Sequence, residues 1–390
     1  MGVIRLFLAV SVLITHSRPI FGVSLLNGDM AIVCFFMISG FLMALILETK
    51  YVGEVGAFYA NRILRIYPPF LVATFFSAAV FYLYPNRHHN PVQAIIGAFD
   101  KQAWDALIVA GVTNLTLIGI NLTRYINVLE PNYTLLFPNF SYPGQGFGGH
   151  NLLMVPQGWT LSLELCFYLL APFVVKSRTW VIVAMAAFFV WWTGPMQDVV
   201  RANDWNTDLG AWFPFVVRYF FFGVIGFRVM RMLDAGIAQF PMLRIIPALS
   251  FVAAFALVVS GYWLTREVRL DLQYFYYLFA ATIPGLFLFT KSLRFDAAIG
   301  EYSYPVYLFH YVFTTSANKW VPDEWIGVFT LITTLVASAA YIYLIDRRIM
   351  KFRASLLRRR KSGEPKRRFL LSRLLFLPSA QQPKVPPNGT

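Results

Sequence analysis

Long apolar runs separated by short polar segments dominate the pattern of this chain. A stretch of about 20 mostly apolar residues crosses the hydrocarbon core of a bilayer as an α-helix. The runs predict an all-α, polytopic integral membrane bundle of about ten transmembrane helices. The predicted spans cover residues 3–20, 30–48, 63–84, 158–175, 179–194, 212–230, 245–264, 272–290, 299–316 and 325–345. The stretch 104–121 is apolar but interrupted by Thr and Asn, so it is predicted to be interfacial or re-entrant, with a further span as the alternative.

Composition supports the membrane assignment. Hydrophobic residues make up 58% of the 390 residues and charged residues only 13%, whereas soluble domains hold roughly 25% charged residues. Most of the surface is therefore not expected to face water. The aromatic content of 17% agrees with this interpretation, because Trp and Tyr collect at the two membrane interfaces.

One connection is longer than a helical bundle needs. Residues 85–157 are rich in Asn, Pro, Gly and Tyr and separate the third and fourth predicted spans. Two interpretations stay open, a cap over a substrate pocket on the outer face or a poorly ordered loop. The predicted domains are a transmembrane domain at 1–346, which includes this outer loop, and a basic, flexible tail at 347–390.

The net charge of +14 is unevenly distributed, since the tail holds 13 of the 33 Lys and Arg residues. If the N-terminus is cytoplasmic, 23 of the 33 lie in the cytoplasmic loops and tail and eight in the longer outer loops. This is the positive-inside pattern, so both termini are predicted to be cytoplasmic. A basic tail beside the last span is typical of an anchor on anionic lipid, and no nucleic-acid partner is predicted.

Two ionisable residues in the first predicted span are the first candidates for chemistry. Arg5 and His16 are eleven positions apart, which is close to three helical turns and places them on nearly one face, about 16 Å apart along the axis. An ionisable residue inside a span is costly and by default suggests function. Snorkelling of Arg5 and a structural hydrogen bond of His16 are the alternatives. Because the two share a face, we expect both to face one interior cavity.

Further candidates lie in three other spans. Arg62 and Arg65, in FYANRILRIYPPF, share a helix face. Their guanidinium groups are suited to binding phosphates. Anchoring at the cytoplasmic interface explains the two residues as well. Glu164 opens the fourth span in QGWTLSLELCFYLLAP, and a carboxylate there must be paired, protonated or beside a wet cavity. His310 lies in the ninth span beside tyrosines. Both are candidates for acid–base work. No metal site is predicted.

Four segments together resemble a known family. They are FFMISGFLM, FYANRILRIYPPF, GWTLSLELCFYLLAP and EYSYPVYLFH. They resemble the signature stretches of the membrane-bound acyltransferase 3 family, which also has a basic residue, ten intervening residues and a histidine in its first helix. Arg5 and His16 reproduce that spacing. The resemblance runs from about residue 3 to 345. It departs from the family because the stretch before the first Arg is nearly absent and no soluble esterase-like domain follows the tenth span.

The resemblance implies an enzyme of the bacterial inner membrane that takes an acyl group, often acetyl, from a cytoplasmic coenzyme A thioester. The implied acceptor is a hydroxyl of a cell-surface or lipid-linked glycan. By position, His16 is the implied catalytic histidine and Glu164 the catalytic acid. Donor binding is implied for Arg5, Arg62 and Arg65. The candidates for the substrate pocket are Trp159, Tyr168, Tyr302, Ser303 and His310. The expected partners are acyl-coenzyme A as co-substrate, the glycan acceptor and membrane lipid, with no permanently bound cofactor.

Two other classes of protein stay open. A transporter or flippase for a glycan or a lipid-linked substrate explains the spans, the intramembrane charges and the basic tail equally well. It does not explain the four segments, and no internal repeat is visible in the chain. A regulatory or scaffolding membrane protein would keep the same residues only for folding.

Overall fold

Every predicted span is a helix in the computed structural model, which describes residues 1–85, 89–136, 146–203 and 209–351. The twelve α-helices of the described residues are α1 (Gly2–His16), α2 (Gly28–Thr49), α3 (Val55–Leu83), α4 (Pro91–Asp100), α5 (Trp104–Thr116), α6 (Trp159–Lys176), α7 (Thr179–Ala202), α8 (Phe213–Gln239), α9 (Ile246–Arg266), α10 (Leu272–Thr290), α11 (Arg294–Ser316) and α12 (Ile326–Tyr341). Ten of them coincide with predicted spans, and α4 and α5 lie in the long connection. The predicted all-α bundle is confirmed.

Eight of these helices are long and apolar enough to cross a membrane, namely α2, α3, α6, α7, α8, α9, α10 and α12. Helix α1 has only 15 residues, which is about 22 Å of helix against a hydrocarbon core of about 30 Å. Helix α11 has 23 residues but carries Ser, Thr, Tyr and His along its length. Both pack inside the bundle, against each other. The exact number of ten spans is therefore not confirmed.

Helix α1 is held at its first turn by the start of α11. The Asp296 carboxylate accepts hydrogen bonds from the backbone N–H groups of Gly2, at 2.7 Å, and Val3, at 2.9 Å. It satisfies amides that no helical carbonyl reaches and complements the helix dipole. Gly2 lies so close to α11 that a Cβ atom would overlap the Asp296 carbonyl oxygen. The two helices are therefore joined tightly at this end.

Helices α2 and α8 also cross at glycines. A Cβ atom on Gly40 would overlap the carbonyl oxygen of Phe220, and one on Gly223 would overlap that of Met37. Small residues at such a crossing allow two membrane helices to pack backbone against backbone. The crossing fixes α2 in the middle of the bundle, where it contacts α1, α6 and α10 as well.

The outside of the bundle is apolar where α7 and α9 form it. Large hydrophobic side chains on these two helices are exposed, among them Trp180, Phe188, Trp191, Leu249, Val252 and Trp263. Contiguous apolar surface of this kind is rare on soluble monomers. Together with the eight long apolar helices, it identifies an integral membrane protein.

The described residues 89–136 and 146–158 of the long connection form a cap over one end of the bundle. They hold α4, α5 and an antiparallel sheet in the order β2-β1-β3, with β1 (Asn127–Leu129), β2 (Thr134–Leu136) and β3 (Gly146–Gly148). Asn114 ties the cap together, since it donates to the Leu152 carbonyl oxygen at 2.8 Å and accepts from the Met154 N–H at 2.7 Å. These described residues are therefore folded onto the bundle, and that they cover a substrate pocket on the outer face stays a prediction.

Two details of the connection bear on the predictions. Helix α5, at 13 residues, is shorter than the roughly 20 residues that a span needs, which favours an interfacial segment at 104–121. The small sheet was not predicted, because three-residue strands are too short to show an alternating pattern. The predicted basic tail lies outside the described residues from 352 onward.

Candidate active site

Two cavities lie inside the bundle, and each meets a different end of α1. The first, which we name the arginine cavity, lies between α1, α2, α3, α6 and α11 and has a volume of about 950 Å³, its opening to solvent included. Its polar lining residues are Arg5, Ser39, Arg62, Arg65, Thr160, Glu164, Tyr168, Ser303, Tyr304 and Tyr307. Three guanidiniums thus face one carboxylate, so the cavity carries an excess of positive charge.

Arg62 keeps a donor for a ligand in the arginine cavity. Arg62 is only 7% exposed, and its Nη2 donates to the Asn61 side-chain oxygen at 3.2 Å. Its Nε has no hydrogen-bond partner among the described residues. A buried donor without a partner is costly, and an anionic group bound in this cavity would satisfy it. Arg5 and Arg65 line the same space.

Glu164 is held by hydroxyl groups on two helices. The Tyr168 hydroxyl, one turn further along α6, donates to Glu164 Oε1 at 2.6 Å, and Ser39 of α2 donates to the same oxygen. These bonds fix the carboxylate inside the arginine cavity. Its closest charged surroundings are therefore the guanidiniums of the cavity, so its place favours the role of a counter-ion for them.

The second cavity, which we name the histidine cavity, lies between the bundle and the cap and has a volume of about 1180 Å³, its opening to solvent included. It is lined by His16, Asp29, Ile32, Thr123, Arg124, His150, Leu153, Pro156, Gln157, Trp159, Tyr307 and Tyr311. Half of these residues come from the cap. Arg124 lies over the ring of Trp159, 5.0 Å from its centroid. The cavity thus combines flat aromatic surface with amide, hydroxyl, carboxylate and imidazole groups.

His16 ends α1 and is exposed to the histidine cavity. Its Nδ1 lies 2.9 Å from the Val12 carbonyl oxygen. A carbonyl oxygen only accepts, so Nδ1 carries the proton of the neutral ring and Nε2 keeps a free lone pair. The ring centroid of His310 lies 5.2 Å away and that of Tyr311 5.9 Å away. This arrangement leaves Nε2 of His16 as a basic atom that is available to the cavity.

His310 is fully buried beside His16. Its Nδ1 donates to the Tyr307 carbonyl oxygen at 2.8 Å, and its Nε2 has no partner among the described residues. A third histidine, His89, holds the cap instead. Its Nε2 donates to the Leu153 carbonyl oxygen at 3.2 Å, and burial lowers the pKa of its imidazole.

The expectation that Arg5 and His16 face one cavity is wrong. Arg5 lines the arginine cavity and His16 the histidine cavity. Both lie on the inner face of α1, as their spacing predicts, but about 16 Å of helix separates them. Ile32 and Tyr307 line both cavities and form the wall where they adjoin. Glu164 lies on the arginine side of this wall, so the direct neighbour of His16 is His310.

The remaining candidates divide between the two cavities. Tyr168 and Ser303 line the arginine cavity, and Trp159 lines the histidine cavity. Tyr302 is not among the described residues that line either, because its position on α11 is turned about 100° from Ser303. Sequence reasoning missed the cap residues, above all Arg124. The sequence signal that could have identified Arg124 is a charged residue just after the interrupted apolar stretch 104–121.

A polytopic helical bundle with two polar cavities defines an integral membrane protein with room for solutes between its helices, an architecture found among transferases and transporters. The family model described as "Acyltransferase domain" matches residues 1–345. The chain therefore belongs to the membrane-bound acyltransferase 3 family. It is also similar to nodulation protein 10 of Rhizobium leguminosarum bv. viciae, with 26% identity over 389 residues, 92% of this chain and 95% of the relative. No solved structure matches it significantly.

The family assignment confirms the resemblance drawn from the four segments. It identifies the chain as a membrane acyltransferase and does not favour the transporter alternative. The roles of individual residues stay predictions.

Proposed function

We propose that the protein transfers acetyl from acetyl-coenzyme A to a hydroxyl of a cell-surface or lipid-linked carbohydrate. One observation carries the proposal: a basic cavity and an imidazole-bearing cavity adjoin inside one acyltransferase-family bundle. A donor rich in phosphate and an acceptor rich in hydroxyl groups need these two kinds of site.

The arginine cavity is the proposed donor site. Coenzyme A carries several phosphates, and guanidinium groups bind phosphate oxygens through paired hydrogen bonds. Arg62 and Arg65 supply such groups near the start of α3, and Arg5 supplies a third from the first turn of α1. The apolar residues between them suit the thioester arm. Acyl-coenzyme A acts here as a co-substrate that leaves after each turnover.

The histidine cavity is the proposed acceptor site. Sugar rings bind by packing their C–H faces on aromatic rings and by hydrogen bonding to polar side chains. Trp159 and Tyr311 offer the rings, and Asp29, Gln157 and Thr123 offer the polar groups. The cap closes the site from one side.

His16 is the proposed general base. Its Nε2 takes the proton of the acceptor hydroxyl while that oxygen attacks the thioester carbonyl carbon. The C–S bond breaks, an ester forms on the acceptor, and coenzyme A leaves as a thiolate that takes the proton from the imidazolium. If Nε2 attacks the carbonyl carbon first, an acyl-histidine forms instead. A labelled acyl group that stays on the protein when the acceptor is withheld would identify that second route.

The proposed topology puts the arginine cavity toward the cytoplasm of a bacterial inner membrane, with both termini inside. The uneven distribution of Lys and Arg supports it, and coenzyme A thioesters are cytoplasmic. A reporter fused after residue 390 should be active only in the cytoplasm. Activity only outside the cell would contradict this orientation.

The decisive experiment follows the donor. Purified protein in lipid nanodiscs is given acetyl-labelled acetyl-coenzyme A and a membrane glycolipid extract. We expect release of free coenzyme A together with labelled ester in the extract, and a transporter would yield neither. Deletion of the gene should in parallel remove an ester from the surface glycans, as mass spectrometry can measure. Unchanged glycan esters and an inert donor would contradict the proposal.

A further inference from the structure

The two cavities meet at one wall. Ile32 of α2 and Tyr307 of α11 are the two residues that line both cavities. They are 5% and 6% exposed. The arginine cavity and the cavity of His16 therefore adjoin at these two side chains.

Tyr307 is fixed from both sides of the wall. Its hydroxyl donates to the Gln157 carbonyl oxygen at 3.0 Å and lies 2.8 Å from Thr160 Oγ1. Gln157 lines the histidine cavity and Thr160 the arginine cavity. Its own carbonyl oxygen accepts from His310 Nδ1. The ring is therefore tied to the start of α6 and cannot swing aside without breaking these bonds.

A fixed wall beside the reacting carbonyl limits the length of the acyl chain that the site can hold. With the phosphates on the arginines, the thioester carbonyl has to reach the wall to meet the acceptor oxygen activated by His16. Each further methylene of the acyl chain then has to fit against Ile32 and the fixed ring of Tyr307. Protein interiors are close-packed, so extra methylenes force such side chains out of place.

We propose that Ile32 and Tyr307 set the acyl-chain length by admitting acetyl and rejecting longer chains. This inference rests on the proposed donor and acceptor sites. Pockets of this kind discriminate by about 10- to 200-fold per methylene. Butyryl has two methylenes more than acetyl, so the native preference for acetyl over butyryl should exceed about 100-fold in kcat/KM.

Helix α2 supplies a matched control. Ile38 lies six residues after Ile32 on α2, is 1% exposed and lines only the arginine cavity. Ile32→Ala and Ile38→Ala remove the same three carbon atoms from two buried positions of one helix. Only Ile32→Ala removes atoms from the wall and so makes room there for a longer acyl chain. Ile32→Val, which removes a single methyl group, provides a milder variant that folds more readily.

The test compares acetyl-, butyryl- and hexanoyl-coenzyme A on protein in nanodiscs, with a glycolipid extract as acceptor and coenzyme A release as the readout. We expect Ile32→Ala to lower the acetyl-to-butyryl ratio of kcat/KM by about tenfold or more, Ile32→Val to lower it less, and Ile38→Ala to leave it within twofold. Tyr307→Phe should also lower this ratio, because the substitution removes the hydroxyl group whose hydrogen bonds hold the ring in place.

The outcomes separate the two proposals. If the native protein releases coenzyme A from none of the three donors, the proposed function fails and the length filter fails with it. If acetyl is transferred but butyryl is used equally well, or if Ile32→Ala and Ile32→Val both keep the native ratio, only the filter is overturned. Should Ile32→Ala be misfolded by size-exclusion chromatography, Ile32→Val and Tyr307→Phe decide.

Discussion

The arginine cavity and the histidine cavity are built in different ways. The arginine cavity is lined by helices alone, and its charged residues lie at helical spacings such as Arg62 and Arg65. The histidine cavity draws half of its lining from the cap, where Arg124 and His150 follow no period. The charged residues of the arginine cavity can therefore be predicted from the helical pattern. The histidine cavity, by contrast, forms only when the cap folds onto the bundle. Four predictions test whether the two cavities serve donor and acceptor separately.

The largest effect is expected at His16, the proposed general base in the histidine cavity. His16→Asn removes the basic nitrogen and keeps a side chain of similar size. Because general base catalysis contributes about 10²–10⁴-fold, transfer should fall by that factor. The KM for acetyl-coenzyme A should stay unchanged, since His16 does not line the arginine cavity. A folded His16→Asn protein with near-native turnover would move the base to His310.

The next effect contrasts one arginine from each cavity. Arg65→Ala should raise the KM for acetyl-coenzyme A, and Arg124→Ala the KM for the acceptor, because each lines only one cavity. Hydrogen bonds to charged groups contribute about 1.5–3 kcal/mol, so changes of about 10- to 150-fold are expected. Steady-state kinetics with each substrate varied in turn measures both. Equal shifts of both constants in either variant would show that the cavities are not separate sites.

A third variant disturbs both cavities at once. Gly223→Ala places a Cβ atom against the Met37 carbonyl oxygen and shifts α2, which lines both sites. Overpacking costs about 1–3 kcal/mol, so the melting temperature should fall and both KM values should change. Gly194→Ala on α7 is the control, because a Cβ atom there has no neighbour within 4 Å. Equal melting temperatures of the two variants would argue against the tight α2–α8 crossing.

The smallest effect is expected at Glu164. Glu164→Gln removes the one carboxylate among the guanidiniums of the arginine cavity. The added net positive charge should lower the KM for acetyl-coenzyme A by about two- to fivefold, as one charge contributes on the order of 1 kcal/mol in a hydrated cavity. The turnover number should change little. A loss of turnover of about 100-fold would instead support the catalytic role that the family resemblance implies.

Sequence reasoning was strongest where contacts are local. The helices, the shared face of Arg5 and His16, and the pair Arg62 and Arg65 all follow from helical periodicity. The pairing of His16 with His310 joins residues that are far apart in the chain, and no local pattern encodes it. The wall between the cavities is likewise a product of tertiary packing. Helical spacing correctly predicted that Arg5 and His16 share one face of α1. It could not show that the two ends of this face line two different cavities.

The joint between Asp296 and the first turn of α1 makes that helix a lever that is held at Gly2 and carries His16 at its far end. From Gly2 to His16 the arm is about 21 Å long, so a tilt of only 5° at the pivot displaces the imidazole by about 2 Å. Misplacement of a reacting group by 1 Å already costs about 100-fold in rate. Under the proposed role of His16, the carboxylate that accepts from Gly2 and Val3 thus helps to set, from the other end of α1, how precisely the imidazole meets the acceptor.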